Sequence, residues 1–344
     1  RGVLPVGNST ELLEKALKDH TSNIDVYASA TKVLFKDDPF GISTLQALSP
    51  LERMKNQNQI VVPHLCWGGW LDAATARTVL TRFELFGNIP QIAIIGPWNH
   101  EMNTNCSLFK KGNLDPLEKV QFELIARFFH SALVMQAPIT ENVLYYYTMG
   151  VEEWRKTSTW PIVKEQTIFY FGKSMNLEDT KPTTETELAE FKVDYSATTT
   201  KTNRWYTQLL RPLHYSDPPR LTVPTEITGS PKLELIMSSS IPDTNIFVYL
   251  EAESPSGFVH YITEGMKRSI HGTDSMLSVD KREITPDHPF HVKITLLPTS
   301  IVLPAGYCLR IALAGSDADT FVSKIGDCQW KIFAGSLISL PIVQ

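Results

Sequence analysis

The sequence has no run of 18 or more apolar residues and no long basic run. The first absence argues against a membrane-spanning helix. The second, with a formal net charge of -5, argues against nucleic acid or an anionic membrane as a partner. The hydrophobic fraction of 42% and the charged fraction of 20% are typical of a globular protein. A length of 344 residues is enough for two domains and an insertion.

Cysteine is scarce, with four residues in the chain: Cys66, Cys106, Cys308 and Cys328. None of them forms a C-x-x-C pair, which excludes a zinc knuckle of that type. Cys308 and Cys328 could pair, but buried free thiols in strands are the commoner arrangement. The chain begins at Arg1 and has no signal-peptide pattern. We therefore leave the compartment open.

The G-x-S-x-G pattern of a serine nucleophile elbow is also absent. Gly-X-Ser occurs at residues 7–9, 41–43 and 172–174, and none of these serines has a glycine two residues later. Cys66 is a poor alternative nucleophile because it falls inside a predicted strand. No residue of this chain is therefore a credible nucleophile.

Two short apolar runs, 59–66 and 91–95, predict strands that are buried on both faces. A helical pattern over 73–86 separates them, and an amphipathic helix is predicted over 116–135. A helical crossover between buried strands predicts a parallel pair with a right-handed connection. Asp72 and His100 each follow one of these strands, at the sheet edge where α/β proteins carry out their chemistry.

An aspartate followed by a histidine fits the last two positions of the chain order Ser, Asp, His in an α/β-hydrolase triad. The carboxylate would orient the imidazole, and the imidazole would shuttle the proton. Two simpler interpretations compete with this one. Asp72 precedes a helix and could be its N-cap, and His100 could be a loop histidine that binds a carbonyl.

Beyond residue 140 the apolar pattern changes to a period of two, which predicts a β-sandwich or jelly roll. Polar, Thr- and Pro-rich residues over 174–230 predict long loops. Residues 1–58 are predicted to be helical and irregular, with a helix that begins near Asn8. The predicted strands are 142–149, 166–171, 231–238, 245–252, 258–263, 290–297 and 307–314.

The residues around the candidate acid and base resemble those of the CocE/NonD hydrolases, which include cocaine esterase, α-amino acid ester hydrolases and X-Pro dipeptidyl-peptidases. Residues 68–72 read G-G-W-L-D and residues 96–100 read G-P-W-N-H, which match the family patterns G-G-W-x-D and G-P-W-x-H. The segment G-V-E-E-W-R at 150–155 resembles the entry to the family's C-terminal jelly roll. The resemblance covers nearly the whole chain.

This resemblance implies the C-terminal part of an α/β-hydrolase sheet with the remnant of a helical cap, followed by an all-β jelly roll. The implied segments are the end of the cap (1–58), the end of the hydrolase domain (59–138) and the jelly roll (139–344). It implies a serine upstream of Arg1, so that this chain alone would be inactive. Its partners would be the rest of the same protein and an ester, amide or peptide substrate.

The implied mechanism needs no metal and no organic cofactor. The resemblance leaves open whether the protein is a homo-oligomer. Trp67, Trp70 and Trp98 surround the candidate acid and base and are candidates for substrate contact, although packing of loops on the sheet is the simpler interpretation for two of the three. The alternative function is a catalytically dead protein that binds a ligand or carbohydrate through the jelly roll.

Overall fold

The structure of the 344-residue chain is a computed structural model. It divides into two compact units, one formed by Arg1–Gln57 with Thr273–Lys281 and the other by Asn58–Gly272 with Arg282–Gln344. The residues that the structure describes are 10–55, 62–87, 89–102, 104–109, 117–135, 139–183, 186–197, 214–215, 220–318, 320–321 and 326–343.

Helices are few and short within the described ranges. None of these helices is long and apolar enough to span a membrane. A π-helical turn, His130–Val134, extends the last α-helix, and short 3-10 turns lie at Lys173–Met175 and Ser278–Asp280. The α-helices are α1 (Glu11–His20), α2 (Val26–Ala30), α3 (Leu45–Leu48), α4 (Pro50–Lys55), α5 (Thr75–Leu85) and α6 (Leu117–Phe129).

Strands dominate the rest of the chain. They are β1 (Pro39–Phe40), β2 (Ser43–Thr44), β3 (His64–Gly69), β4 (Gln91–Gly96), β5 (Asn142–Thr148), β6 (Glu153–Thr157), β7 (Thr167–Phe171), β8 (Leu177–Glu178), β9 (Glu187–Lys192), β10 (His214–Tyr215), β11 (Thr225–Gly229), β12 (Lys232–Ser239), β13 (Asn245–Glu253), β14 (Val259–Arg268), β15 (Phe290–Thr295), β16 (Thr299–Leu303), β17 (Cys308–Ala314), β18 (Gln329–Phe333), β19 (Leu337–Leu340) and β20 (Ile342–Val343).

The first unit is held together by side chains that accept hydrogen bonds from turns. Asp38 accepts from the backbone N–H groups of Leu34 and Phe35 at 2.7 and 2.9 Å. Asp37 accepts from the hydroxyl and the backbone N–H of Ser278, and these bonds lower the pKa of Asp37. Helix α1 buries none of its residues, and the predicted cap residue Asn8 lies outside the described residues.

The second unit contains a mixed four-stranded sheet in the order β3-β4-β5-β6. The pairs β3–β4 and β4–β5 are parallel, and β5–β6 is antiparallel. Helix α5 crosses from β3 to β4 and buries Ala76, Val79, Leu80 and Phe83. Gly68 lets this helix approach the strand, because a Cβ there would lie 3.1 Å from the Val79 side chain.

A buried glutamine joins the end of α5 to the start of β4. Gln91 is 1% exposed, and its amide nitrogen donates to the carbonyls of Phe83 and Phe86 at 3.0 and 2.9 Å. These carbonyls lie in the last turn of α5, where backbone acceptors lack a partner within the helix. The bonds fix where the helix stops and where the second parallel strand begins.

The predicted boundaries of the first strand were wrong. The strand was predicted to end at residue 66, whereas β3 extends to Gly69, which is paired with Gly96 of β4. Residues 59–61, the start of the predicted strand, lie outside the described residues. A pair of glycines usually indicates a turn. Here Gly68 and Gly69 continue the strand, and the space left by their missing side chains is filled by Val79 and Trp98.

The remaining strands of the second unit form antiparallel sheets. One has the order β10-β17-β13-β14, one β16-β11-β20, and one β8-β7-β19-β12-β18-β9 with β15 also paired to β12. In β12, β15, β18 and β19 the burial alternates along the strand, as one apolar face requires. Strands β13 and β17 are buried on nearly every residue. The expectation of a β-rich second half is confirmed.

Two predictions about this half were wrong. The segment 174–230 holds strands β9 and β11 as well as loops, and β9 pairs with β18. The sequence of β9, E-L-A-E-F-K, carries three charged residues, so its strand pattern was not recognised. In the structure Lys331 of β18 forms ion pairs with both glutamates of β9. Strand β5 was expected in the sandwich but extends the mixed sheet in parallel with β4.

All four cysteines are free thiols, and Cys308 and Cys328 are buried. Cys328 is fully buried and lies 3.4 Å from the hydroxyl of Ser239. Cys308 and Cys328 are therefore buried free thiols and do not form a disulfide.

Carboxyl groups are buried on and beside the sheet that contains β13 and β14. Glu264 is 3% exposed and Asp317 is 1% exposed. Tyr249 donates a hydrogen bond to Asp317 at 2.8 Å. Burial, and then the nearby Asp317, raise the pKa of Glu264 to about 8. Burial raises the pKa of Glu251 to about 7, although Arg310 opposes the shift.

We predict that Glu264→Gln removes part of the pH dependence of folding stability. A carboxyl whose pKa rises from 4.5 in the unfolded chain to about 8 in the folded protein binds its proton more tightly when folded. The native protein therefore loses stability as the pH rises from about 5 to 8, because the buried group must ionise. The variant should lose less, which urea unfolding at pH 5, 7 and 8.5 will measure.

The control is Glu165→Gln, which neutralises an exposed glutamate and should leave the pH profile of the native protein unchanged. Glu251 remains in both variants, so some dependence near pH 7 should persist. Equal slopes for Glu264→Gln and the native protein would contradict the prediction.

Candidate active site

The two loops that follow β3 and β4 are joined by backbone hydrogen bonds. The last paired residues of the strands are Gly69 and Gly96. Beyond them, the N–H of Trp70 donates to the carbonyl of Gly96 at 3.0 Å, and that of Leu71 donates to the carbonyl of Trp98 at 3.3 Å. These bonds continue the pairing past the end of the sheet and bring the next residues of both loops together.

Asp72 and His100 meet at this point. The Nδ1 atom of His100 lies 3.0 Å from Oδ1 of Asp72. The aspartate side chain is 10% exposed, whereas the imidazole is 92% exposed. A carboxylate accepts hydrogen bonds, so the proton of the neutral ring lies on Nδ1 and Nε2 is left as an acceptor. The structure thus joins the two predicted residues, while their catalytic roles stay predictions.

The alternative interpretation of Asp72 as a side-chain N-cap is wrong. Helix α5 is preceded by Ala74, and no side chain caps its first turn. Asp72 contributes through its backbone instead, because its carbonyl accepts from the N–H and the hydroxyl of Thr75 at 3.0 and 2.9 Å. Its carboxylate is therefore available to His100.

The turn between Asp72 and the helix is conformationally strained. Ala73 has a φ of 43°, in the left-handed region that costs a residue with a Cβ about 1 kcal/mol or more. Backbone hydrogen bonds flank this residue, from the N–H of Asp72 to the carbonyl of Gly69 and from the N–H of Thr75 to the carbonyl of Asp72.

Trp98 lies between the two glycines that end the strands. A Cβ on Gly69 would lie 2.3 Å from the carbonyl oxygen of Trp98, and one on Gly96 would lie 2.2 Å from its ring. Its indole N–H donates to the carbonyl of Gly68 at 2.9 Å. Trp98 is 1% exposed. Glycine is therefore required at both strand ends for the tryptophan to fit.

The other candidate tryptophans differ in their surroundings. Trp70 is 4% exposed and donates its indole N–H to the carbonyl of Tyr147 at 2.7 Å. Trp67 packs on Trp98 with ring centroids 6.1 Å apart. Trp67 and Trp98 also line a largely apolar cavity of about 520 Å³ with Tyr145 and Trp154. Contact of these rings with a substrate stays a prediction.

Sequence reasoning missed the polar group that fixes the loop beyond His100. Glu152 accepts hydrogen bonds from Asn105 and Ser107 of that loop. The segment 150–155 was noted only for its resemblance to a family motif. A glutamate in a turn between two strands gives no local sign that its partners lie 45 and 47 residues earlier in the chain.

Comparison with known proteins finds a matching domain family and relatives that are named as esterases. Residues 138–329 match the family described as the X-Pro dipeptidyl-peptidase C-terminal non-catalytic domain. A Mycobacterium bovis protein named as a serine esterase is 27% identical over 405 aligned positions, which cover 100% of this chain and 63% of that protein. The chain thus spans less than two thirds of the length of this relative.

Two solved structures share the fold at low sequence identity. An α-amino acid ester hydrolase aligns with a TM-score of 0.74 and 17% identity, over 98% of this chain and 63% of the other. A CocE/NonD family hydrolase from Staphylococcus aureus aligns with a TM-score of 0.64 and 15% identity, over 97% and 62%.

The matched domain and the relatives named as esterases define a class, the serine esterases and hydrolases with a C-terminal β domain. The domain match covers more than half of the chain, which therefore belongs to the family of the X-Pro dipeptidyl-peptidase C-terminal domain. Its fold is similar to that of a CocE/NonD family hydrolase. The resemblance drawn from the G-G-W and G-P-W motifs is confirmed.

We predict that Gly69→Ala destabilises the protein by roughly 1–3 kcal/mol, the usual cost of forcing extra atoms into a packed interior. The new methyl group would collide with a backbone oxygen, which cannot move without shifting the loop that carries His100. Chemical denaturation of this chain will measure the change.

Gly326→Ala is the matched control, because a Cβ there meets no atom within 4 Å. It should change the free energy of unfolding by no more than about 0.5 kcal/mol. Similar effects of the two alanines would show that Trp98 does not set the requirement for glycine.

Proposed function

We propose that this chain supplies the acid, Asp72, and the base, His100, of a Ser-Asp-His triad that hydrolyses esters or amides. The observation that carries the proposal is the 3.0 Å contact between Nδ1 of His100 and Oδ1 of Asp72 at the ends of adjacent parallel strands. In this proposal the serine is contributed by polypeptide upstream of Arg1, in agreement with the chain order Ser, Asp, His.

The exposure of the two side chains suits these roles. The buried carboxylate of Asp72 would hold the Nδ1–H tautomer and stabilise the imidazolium that forms during the reaction. Nε2 of the exposed imidazole would take the proton of the serine hydroxyl as that oxygen attacks the acyl carbon. The same proton would then pass to the leaving alcohol or amine.

The proposal includes the architecture around this pair. The sheet β3-β4-β5-β6 would be the C-terminal part of an α/β-hydrolase sheet, because α5 joins two parallel strands and both polar loops lie at their carboxyl ends. The antiparallel sheets of the second half would form the jelly roll of the family. Residues 1–58 would be the end of a helical cap.

The names of the relatives indicate esters as the substrate class of this proposal. The names of the M. bovis relative and of the α-amino acid ester hydrolase both refer to esters. The matched domain takes its name from X-Pro dipeptidyl-peptidases, which keeps amide bonds in the proposed range. The partners of the chain would be this substrate and the upstream part of the same protein.

We expect a fluorophosphonate probe to label the full-length protein, and His100→Ala to abolish that labelling. The probe reacts with a serine only when a base withdraws its proton. Asp72→Asn should lower kcat for an activated ester by roughly 10³- to 10⁴-fold, because the imidazole loses the acceptor that holds its tautomer. Labelling intensity and ester hydrolysis are the two measurements.

His288→Ala provides the control, since this histidine is exposed and its Nδ1 contacts only its own turn, at the carbonyl of Pro286. This variant should label and turn over like the native protein. Full labelling of His100→Ala, or none of the native protein, would refute the proposed triad.

A further inference from the structure

The loop that carries His100 is closed on itself and then attached to the next hairpin. The N–H of Cys106 donates to the carbonyl of Pro97 at 2.6 Å. His100 therefore lies within a short loop whose two ends meet. Trp98 fixes the first end of the loop. Asn105 and Ser107, on either side of Cys106, fix the second end.

Glu152, in the turn between β5 and β6, binds this second end. Its Oε1 accepts from the hydroxyl of Ser107 and, at 2.8 Å, from the backbone N–H of Gly150. Its Oε2 accepts from the amide of Asn105 at 3.4 Å and from the hydroxyl of Tyr147 at 3.1 Å. One carboxylate thus receives four hydrogen bonds, two of them from the loop.

These contacts are shielded from solvent. Asn105, Ser107 and Tyr147 are each 4% exposed. Asn105 also accepts from the backbone N–H of Ser107 at 2.8 Å, which fixes the two donors relative to each other. Burial raises the pKa of Tyr147, and the Glu152 carboxylate raises it further. Removal of the Glu152 carboxylate would take one hydrogen bond from each of these three buried side chains.

The backbone of Glu152 is itself in an unfavourable conformation. Its φ is 61°, a value that residues other than glycine, asparagine and aspartate rarely adopt. The hydrogen bonds of its carboxylate to Ser107, Asn105 and Tyr147 hold this turn in place. A glycine would relieve the backbone but would remove every one of those bonds.

We propose that Glu152 is a positioning residue that sets the placement of the His100 imidazole against Asp72. It contacts neither of these two side chains and acts through Asn105 and Ser107 on the far end of the loop. Its effect on turnover rests on the proposed function, whereas its effect on the imidazole does not.

The test uses this chain with ¹⁵N-labelled histidine and long-range ¹H–¹⁵N correlation of the His100 ring. In the native protein the neutral ring should carry its proton on Nδ1. Glu152→Ala should shift both ring nitrogens toward an average of the two tautomers, in the same direction as Asp72→Asn. Glu152→Gln should lie between Glu152→Ala and the native protein, because an amide keeps one acceptor oxygen but introduces donors opposite buried donors.

Asp243→Asn is the matched control, since it neutralises a largely buried carboxylate that accepts from Arg268 at 2.7 Å, between strands β12 and β13. It should leave the ring nitrogens of His100 at their native shifts. Should Glu152→Ala fail to fold, Ser107→Ala deletes a single loop donor and should give a smaller shift in the same direction. If the ring nitrogens of His100 kept their native chemical shifts in both Glu152→Gln and Ser107→Ala, the proposal would be overturned.

Kinetics of the full-length protein give the second readout. Glu152→Gln should lower kcat for an activated ester by roughly tenfold to a hundredfold, as expected when a catalytic group is displaced by a fraction of an ångström to 1 Å. KM should stay within about twofold, because the substrate does not contact Glu152 in this proposal. Because the ring shifts need no activity, they can confirm the positioning role even if the labelling experiment contradicts the triad.

Discussion

The packing of Trp98 against Gly69 and Gly96 is the constraint on which the site depends. The tryptophan carbonyl and ring occupy the space that side chains would fill at both strand ends, and its indole bonds to the backbone of the neighbouring strand. Since Trp98 lies two residues before His100, this packing sets where the histidine loop leaves the sheet. The bond from Leu71 to the Trp98 carbonyl then ties the aspartate loop to the same residue.

The contact between Asp72 and His100 could be predicted because its signal in the sequence is local. Each follows a buried apolar strand, and the glycines and tryptophans beside them are parts of the same packing arrangement. The carboxylate of Glu152 could not be predicted in this way, since its partners come from a distant loop and a hydroxyl of the preceding strand. Strand β9 was missed for a similar reason, because its charged residues are stabilised by a strand that follows more than a hundred residues later.

The position of β5 shows a further limit of periodicity. An alternating pattern indicates a strand but does not identify its neighbour. Asn142–Thr148 pairs with a parallel strand on one side and an antiparallel strand on the other, so it belongs to the mixed sheet. This pairing also places the β5–β6 turn beside the histidine loop. The strand that sequence reasoning put in the sandwich therefore supports the candidate site.

The aromatic rings at the site form a chain of close neighbours with an optical consequence. Trp98 lies 6.1 Å from Trp67 and 5.8 Å from Trp154, and Trp154 lies 5.3 Å from Tyr147. Indole transitions at such separations couple as excitons and give paired bands in circular dichroism. The protein thus carries a built-in chromophore whose band shape depends on the mutual orientation of strand β3, the histidine loop and the β5–β6 hairpin.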